Sequence, residues 1–156
     1  QPMHDKSDYV KAIVAVSNPF DVCSTTIRLK STHFGIYDGH IALGLKEAFL
    51  NSRFKDQESK VPKSAIDAIP FHRRLSVLEF DNFTRSKAWG YTCANDLYRS
   101  ISCGSFLSYI DKPFLVISAK DDPICTFGDV PHVDVLSNKN GMLIESDFGA
   151  HCDFFT

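Results

Sequence analysis

The chain has 156 residues, of which 44% are apolar and 23% charged, and its formal net charge is −2. This length and apolar content fit one globular domain with its own hydrophobic core. The nearly balanced charge and the lack of a basic tract argue against nucleic acid as a partner, and no window of about 18 apolar residues predicts a membrane span.

The five cysteines favour free thiols over a disulfide framework or a zinc ribbon. Their number is odd, and no two of them form a C-x-x-C motif. Free thiols persist in a reducing compartment, so an intracellular location is favoured. The polar residues 1–9 do not predict a signal peptide. Neither end resembles the end of a natural gene product.

The first predicted element is a strand over residues 11–17. Its apolar residues are continuous and rich in β-branched side chains, and Asn18 and Pro19 end it. A short apolar run without polar alternation is typical of a strand that is buried on both faces.

The long stretch that follows is predicted to be mainly helical. Residues 38–55 form the clearest helix, because apolar side chains such as Ile41 and Leu45 recur at three- and four-residue spacings. Pro62 starts a short helix over residues 62–69, and residues 75–87 and 95–102 are two further helical segments. A simple crossover between parallel strands needs only about a dozen residues. We therefore expect residues 20–110 to form a helical cap inserted between two core strands.

Two more strands follow, over residues 113–119 and, with a weaker pattern, over residues 141–146. Three buried strands separated by helical stretches predict an α/β fold with about three parallel strands and flanking helices. The whole chain is then one partial domain, in which residues 111–156 supply the last strands and their loops.

Acidic residues and a histidine directly follow the last two strands, in Asp121-Asp122-Pro123 and Gly149-Ala150-His151. Functional groups of an open parallel sheet collect at the carboxyl ends of its strands. An acid followed by a histidine matches the last two members of a Ser…Asp…His order, in which the carboxylate fixes the imidazole tautomer. We interpret Asp122, which precedes the proline, as the acid and His151 as the base, with Asp121 bracing the turn. Taken alone, each residue also fits an ordinary turn or loop position.

The nucleophile is the missing member, because no serine stands in a G-x-S-x-G pattern. Ser105 follows a glycine, but no strand precedes it. Ser17 ends a strand, but Asn18 and Pro19 cannot open a helix directly behind it. Cys23 could act only with His151 as its base. These three candidates are interpreted as structural, and we expect the nucleophile outside this chain.

Other candidate sites have weaker patterns. The run His151-Cys152-Asp153 offers three metal-ligand atoms, but consecutive residues do not easily converge on one ion. The run His72-Arg73-Arg74 could contact an anion, although a solvated basic turn is the simpler interpretation. The sequence therefore predicts neither a metal nor an organic cofactor.

Several segments together carry a family resemblance, which covers nearly the whole chain. The matching residues are Val16-Ser17-Asn18-Pro19-Phe20-Asp21, Phe80-Asp81, Thr84, Trp89-Gly90-Tyr91, Leu97-Tyr98, Ile110-Asp111-Lys112-Pro113, Asp121-Asp122-Pro123, Pro131, Asn140 and Gly149-Ala150-His151. The combination resembles one subfamily of α/β-hydrolases. That subfamily contains bacterial YheT-like esterases, plant EMB8-like proteins, animal abhydrolase-domain phospholipases and yeast medium-chain acyltransferases.

The resemblance implies the C-terminal half of an α/β-hydrolase fold, with Asp122 as the orienting acid and His151 as the general base and acid. Residues 20–110 would be the cap over an acyl pocket, and the substrate would be a hydrophobic acyl ester, often a lipid. The family needs no metal or cofactor. Two residues depart from its pattern: Ala150 replaces a glycine, and Tyr98 stands where a pair of tyrosines is expected.

The resemblance also implies a partner for the sheet. The nucleophile strand of the fold would lie beside the strand at residues 12–16, which here has a bare apolar edge. We expect that edge to pair with the missing N-terminal half or with another polypeptide. An N-terminal segment absent from the chain could also associate with a membrane.

Two other classes of function compete with the enzyme. One is a non-catalytic descendant of the hydrolase fold that serves as a structural subunit of an assembly. The other is a small-molecule binding module that keeps the acyl pocket without chemistry, although most phenylalanines must simply belong to the core. The candidate pocket residues are Phe20, Phe34, Phe49, Phe54, Phe80 and Phe83.

Overall fold

The computed structural model describes residues 9–50, 60–70 and 72–154. The chain divides into two compact units. Gln1–Phe20 and Cys103–Thr156 form the first, here called the sheet unit, and Asp21–Ser102 form the second, the helical unit. That the helical unit acts as a cap stays a prediction.

The described elements are three strands, seven α-helices and short 3₁₀ turns. The strands are β1 (Ile13–Val16), β2 (Phe114–Ala119) and β3 (Gly141–Ser146). The α-helices are α1 (Val22–Ser31), α2 (Ile36–Leu50), α3 (Lys63–Asp67), α4 (Val77–Phe83), α5 (Arg85–Ala88), α6 (Ala94–Ile101) and α7 (His132–Ser137). None of the helices in the described ranges combines the length and apolar character that a bilayer crossing requires.

The three strands form a parallel sheet in the order β1-β2-β3, which confirms the predicted α/β architecture. Ile117 of β2 lies opposite Val16 on one side and Ile144 on the other. Parallel strands of matched register end at the same edge of the sheet, so the loops after all three strands leave from that edge.

The core of the sheet unit forms around the central strand. Phe114 and Val116 of β2 pack with Phe20 and with side chains from the loops and from α7. The outer strand β1 differs from the prediction of burial on both faces, because Val14 is 62% exposed and Val16 43% exposed. Within the described residues, β1 pairs with β2 only; Ala15 packs against the core, whereas Ile13, Val14 and Val16 are exposed.

The first helix of the helical unit, α1, was not predicted from the sequence. Asp21 caps it, because its side chain accepts a hydrogen bond from the amide of Ser24 at 3.0 Å. The β-branched run Thr25-Thr26-Ile27 has low helix propensity and obscured the pattern. The cap signal at Asp21 and the basic Arg28 and Lys30 in the last turn could have revealed it.

The other predicted helices of this unit agree with the structure except in one place. The helices α2, α3 and α6 match the predictions, although residues 51–55 of the first lie outside the described part of the chain. The predicted helix over residues 75–87 is instead two helices, α4 and α5. The break is at Thr84, whose backbone has φ −112° and ψ −84° and whose hydroxyl donates to the carbonyl of Phe80 at 2.8 Å.

The core of the helical unit contains three of the phenylalanines that were candidates for an acyl pocket, Phe49, Phe80 and Phe83, whereas Phe20 belongs to the core of the sheet unit. Phe49 and Phe80 are buried, and their rings meet edge to face with centroids 5.9 Å apart. The cavity beside them measures about 10 Å³, which is barely room for one water molecule. Phe34 is fully exposed, and Phe54 lies outside the described residues. Phe49 and Phe80 therefore fill a core rather than line an open pocket.

Candidate active site

The candidate site lies at the carboxyl ends of β2 and β3. Asp121 and Asp122 stand in the turn after β2, and His151 stands in the loop after β3. The backbone pairing continues just past the strands, since the amide of Lys120 donates to the carbonyl of Ser146 at 2.9 Å. The two loops therefore start side by side, which is the consequence of parallel pairing that the sequence predicted.

Asp122 is held in one orientation by its own turn. One carboxylate oxygen, Oδ1, accepts hydrogen bonds from the amides of Ile124 at 2.8 Å and Cys125 at 2.9 Å. An aspartate that bonds amides two and three residues ahead is ordinary turn chemistry, and Pro123 favours the turn as well. The same contacts fix the carboxylate plane, so the turn role and the site role of Asp122 are compatible.

The second oxygen of Asp122 contacts the histidine. Its Oδ2 atom lies 3.1 Å from Nδ1 of His151. The carboxyl side chain is 1% exposed and the imidazole 37% exposed, so one end of the pair is buried and the other reaches the surface. A carboxylate that accepts a hydrogen bond from Nδ1–H leaves Nε2 as the basic nitrogen of the neutral ring. The structure thus brings together the two residues that the sequence selected.

The loop before His151 has an unusual backbone. Gly149 has φ +157° and Ala150 has φ +42°; the second value lies in the left-handed region, where a side chain costs about 1–2 kcal/mol. A Cβ on Gly149 would approach the ring of Phe154 to 2.6 Å, so only glycine fits there. Asp121 holds the loop from across the site, because its Oδ1 accepts the amide of Ala150 at 2.8 Å.

Cys125 is a member of the site that sequence reasoning missed. Its thiol, the carboxylate of Asp122 and the imidazole of His151 all have ligand atoms within 4.8 Å of one another. Burial raises the pKa of the Cys125 thiol to about 12, and the carboxylate of Asp122 adds to the effect. The thiol is therefore neutral near pH 7 and a poor nucleophile. The spacing Asp-x-x-Cys within one tight turn was the available signal.

The other nucleophile candidates are Ser105, Ser17 and Cys23, and each lies in a different environment. Ser105 lies in an exposed 3₁₀ turn, Gly104–Tyr109. Ser17 is 4% exposed and has φ +46°, and its hydroxyl has no hydrogen-bond partner among the described residues. Burial, followed by the charge of Asp21, raises the pKa of the Cys23 thiol, which works against a reactive thiolate.

The basic run in the helical unit makes local contacts. Arg73 pairs with Glu79 at 2.9 Å. Arg74 donates to the backbone carbonyls of Gly35 at 2.9 Å and Ile36 at 3.2 Å. Each guanidinium group therefore has at least one partner within the helical unit.

Comparison with known proteins gives one consistent family. The chain is 32% identical over 148 residues to an abhydrolase domain-containing protein of Dictyostelium discoideum, covering 93% of this chain and 36% of that protein. It is 29% identical over 153 residues to a monoacylglycerol lipase of Saccharomyces cerevisiae, covering 94% of this chain and 32% of the lipase. It is 28% identical over 145 residues to the putative esterase YheT of Escherichia coli, covering 93% of this chain and 41% of the esterase.

These matches extend over nearly all of this chain but only part of each relative. The chain spans about a third to two fifths of the length of the curated relatives it matches. No protein-family model and no solved structure matches the chain. The names of these relatives support an α/β-hydrolase family for the chain. The parallel sheet of the sheet unit is consistent with that family.

Proposed function

We propose that the complete protein hydrolyses carboxylic esters of hydrophobic acyl groups by a serine-hydrolase mechanism. Asp122 is the orienting acid, His151 is the general base and acid, and the nucleophilic serine is supplied by residues outside this chain. The observation that carries the proposal is the 3.1 Å contact between Asp122 Oδ2 and His151 Nδ1 at the carboxyl edge of a parallel sheet. Relatives described as a monoacylglycerol lipase and a putative esterase support the same class of reaction.

The proposed reaction uses each group in a defined order. Nε2 of His151 takes the proton of the serine hydroxyl while the serine oxygen bonds to the acyl carbon. The imidazolium, stabilised by Asp122, then donates this proton to the departing alcohol, which leaves an acyl-enzyme. In the second half, His151 takes a proton from water, and the resulting attack releases the acid and restores the serine. Transfer to an alcohol instead of water would make the same site an acyltransferase.

The proposal includes a partner at the edge of the sheet. β1 pairs on one side only within the described residues, and Val14 and Val16 are exposed. An unpaired apolar edge strand invites pairing with another strand. We infer that part of the complete protein, or another polypeptide, covers β1 and brings the serine to the site.

The test is covalent labelling of the complete protein with a fluorophosphonate probe, together with an ester hydrolysis assay. His151→Ala should abolish labelling and lower the hydrolysis rate by about 10³- to 10⁶-fold, because the serine loses its base. The matched control is His132→Ala, since His132 belongs to the same unit but pairs with Glu145 at 2.6 Å. Full labelling of the His151→Ala protein, or no labelling of the original protein, would contradict the proposal.

A non-catalytic subunit of an assembly is the second candidate. The exposed apolar side chains of β1 favour this candidate, because such a surface is typical of a subunit that is bound by other chains. The two candidates differ in what precedes the chain. A G-x-S-x-G motif in the residues before Gln1 supports the enzyme, and replacement of its serine supports the structural role.

A further inference from the structure

Three different kinds of metal-ligand atom meet at the candidate site. The carboxylate of Asp122, the thiol of Cys125 and the imidazole of His151 lie within 4.8 Å of one another. Asp122 and Cys125 are buried, since 5% and 7% of the surface of the whole residue is exposed. The imidazole of His151 is partly open to solvent. The set is therefore a group of oxygen, sulfur and nitrogen donors of which two are buried and the imidazole reaches solvent.

The spacing of these atoms is close to what zinc requires. Zn²⁺ binds carboxylate oxygen and imidazole nitrogen at about 2.0–2.2 Å and thiolate sulfur at about 2.3 Å, so tetrahedral ligand atoms lie about 3.3–3.6 Å apart. The oxygen and nitrogen are already 3.1 Å apart. All three ligand atoms lie within 4.8 Å of one another, so the sulfur needs to approach by at most about 1.2–1.5 Å to complete the set. Rotation about the Cα–Cβ bond moves the sulfur of a cysteine without moving its backbone.

The support of the ligands also suits a metal. Oδ1 of Asp122 is held by the amides of Ile124 and Cys125, which leaves Oδ2 directed at His151. Metal-binding carboxylates commonly have such hydrogen bonds behind them. Sulfur and nitrogen donors select a thiophilic cation over Mg²⁺ or Ca²⁺, which prefer oxygen.

We propose that Asp122, Cys125 and His151 form an inhibitory binding site for a thiophilic divalent cation, with Zn²⁺ as the ion of choice. The bond to the metal takes the lone pair of His151 Nδ1, so the proton of the neutral imidazole resides on Nε2. The thiol of Cys125 releases its proton to solvent when it coordinates. A protonated Nε2 cannot accept the serine proton, so occupancy stops the reaction. The binding site stands on its own geometry, whereas the inhibition rests on the proposed function.

The first experiment measures binding without turnover. The complete protein is titrated with Co²⁺, whose thiolate ligation produces a charge-transfer absorption band in the near ultraviolet, and then with Zn²⁺ by calorimetry. We expect one ion per chain at this site. Cys125→Ala should remove the band and weaken Zn²⁺ binding by about 10- to 100-fold or more. Loss of a group that only hydrogen-bonds to a metal ligand already weakens binding by this factor, and loss of a ligand should cost no less. Cys125→Ser, which preserves the size of the side chain, guards against a folding defect.

The matched control is Cys152→Ala, because Cys152 is an exposed thiol directly beside His151. This variant should retain both the band and the Zn²⁺ affinity. Unchanged affinity in the Cys125 variants, or loss of affinity in the Cys152 variant, would overturn the assigned site.

The second experiment measures ester hydrolysis with and without Zn²⁺. Inhibition of the original protein and of Cys152→Ala, relieved by a chelator and weakened in Cys125→Ala, is the expected result. Zn²⁺ binding through Cys125 with an undiminished rate would overturn the inhibitory role. A protein that binds Zn²⁺ through Cys125 but never hydrolyses an ester would refute the proposed function and leave the binding site standing.

Discussion

Asp121 and Asp122 are chemically identical neighbours, yet each holds a different part of the site. Asp122 contacts the imidazole of His151. Asp121 accepts a hydrogen bond from the amide of Ala150, the residue directly before His151. Ala150 has a left-handed backbone with φ +42°, and such a conformation persists where surrounding contacts over-determine it. The contact from Asp121 is one of these, so we propose that Asp121 is a positioning residue for His151.

Replacement of Asp121 tests this positioning role in the complete protein. Asp121→Ala should lower kcat by about 10- to 100-fold with little change in KM, because small displacements of a catalytic group cost rates of that size. Asp121→Asn retains an oxygen that can accept the amide of Ala150, so it should recover most of the rate. Equal rates for Asp121→Ala and the original protein would show that the loop is held without Asp121.

At the scale of elements, α4 is a short helix that is stabilised at its start and along its buried face. Ser76 and Glu79 form a reciprocal capping box at its start. Asp81 in its middle is 1% exposed and accepts the hydroxyl of Tyr98 on α6 at 2.8 Å. Burial raises the pKa of Asp81, and the neighbouring Arg85 only partly opposes this. The other oxygen, Oδ1, has no partner among the described residues.

The buried carboxyl of Asp81 predicts a pH dependence of stability. Its folded-state pKa lies above the ordinary value of 3.8, so the unfolded chain releases this proton at lower pH than the folded protein does. The free energy of unfolding therefore falls as the pH rises from 3.8 through the folded-state pKa, by about 1.4 kcal/mol for each tenfold difference in proton affinity. Asp81→Asn does not titrate, so its stability relative to the original protein should increase from pH 4 to pH 7.

Urea unfolding of the complete protein at several pH values measures this difference. Asp96→Asn on α6 is the control, because its carboxylate is 46% exposed and should produce a much smaller trend. A relative stability of Asp81→Asn that stays level or declines with pH would contradict the burial argument.

At the scale of the whole molecule, each unit buries a core of its own and leaves other apolar side chains exposed. The helical unit buries a cluster that includes Phe49, Leu75 and Phe80. The sheet unit buries the centre of β2 but leaves Val14 of β1 62% exposed. We propose that another part of the complete protein, or another polypeptide, covers this strand.

Expression of residues 1–156 alone, beside the complete protein, tests whether β1 requires such cover. The isolated chain should associate or fail to unfold cooperatively, because its edge strand and apolar side chains stay in water. Val14→Lys should reduce association of the isolated chain, since a charge on an edge strand discourages pairing, and should destabilise the complete protein. A soluble, cooperatively folding monomer of residues 1–156 would refute the partner proposal.

The architecture around the site could be read from the sequence. Continuous apolar runs marked the strands, and the long helical segments between them required parallel pairing. Parallel strands share one carboxyl edge, so Asp122 and His151 were expected at that edge although 29 positions separate them. These inferences needed only the periodicity of the chain and the topology that follows from it.

Only the tertiary structure decided which side chains meet at that edge and which elements break. The approach of Cys125 to His151, the bond from Asp121 to Ala150 and the break at Thr84 depend on the exact backbone path of short turns. Turn residues follow no periodic pattern, so the sequence does not show how closely their side chains approach one another. The sequence therefore determined at which edge of the sheet the candidate site residues lie, and the folded loops determined which of their atoms are in contact.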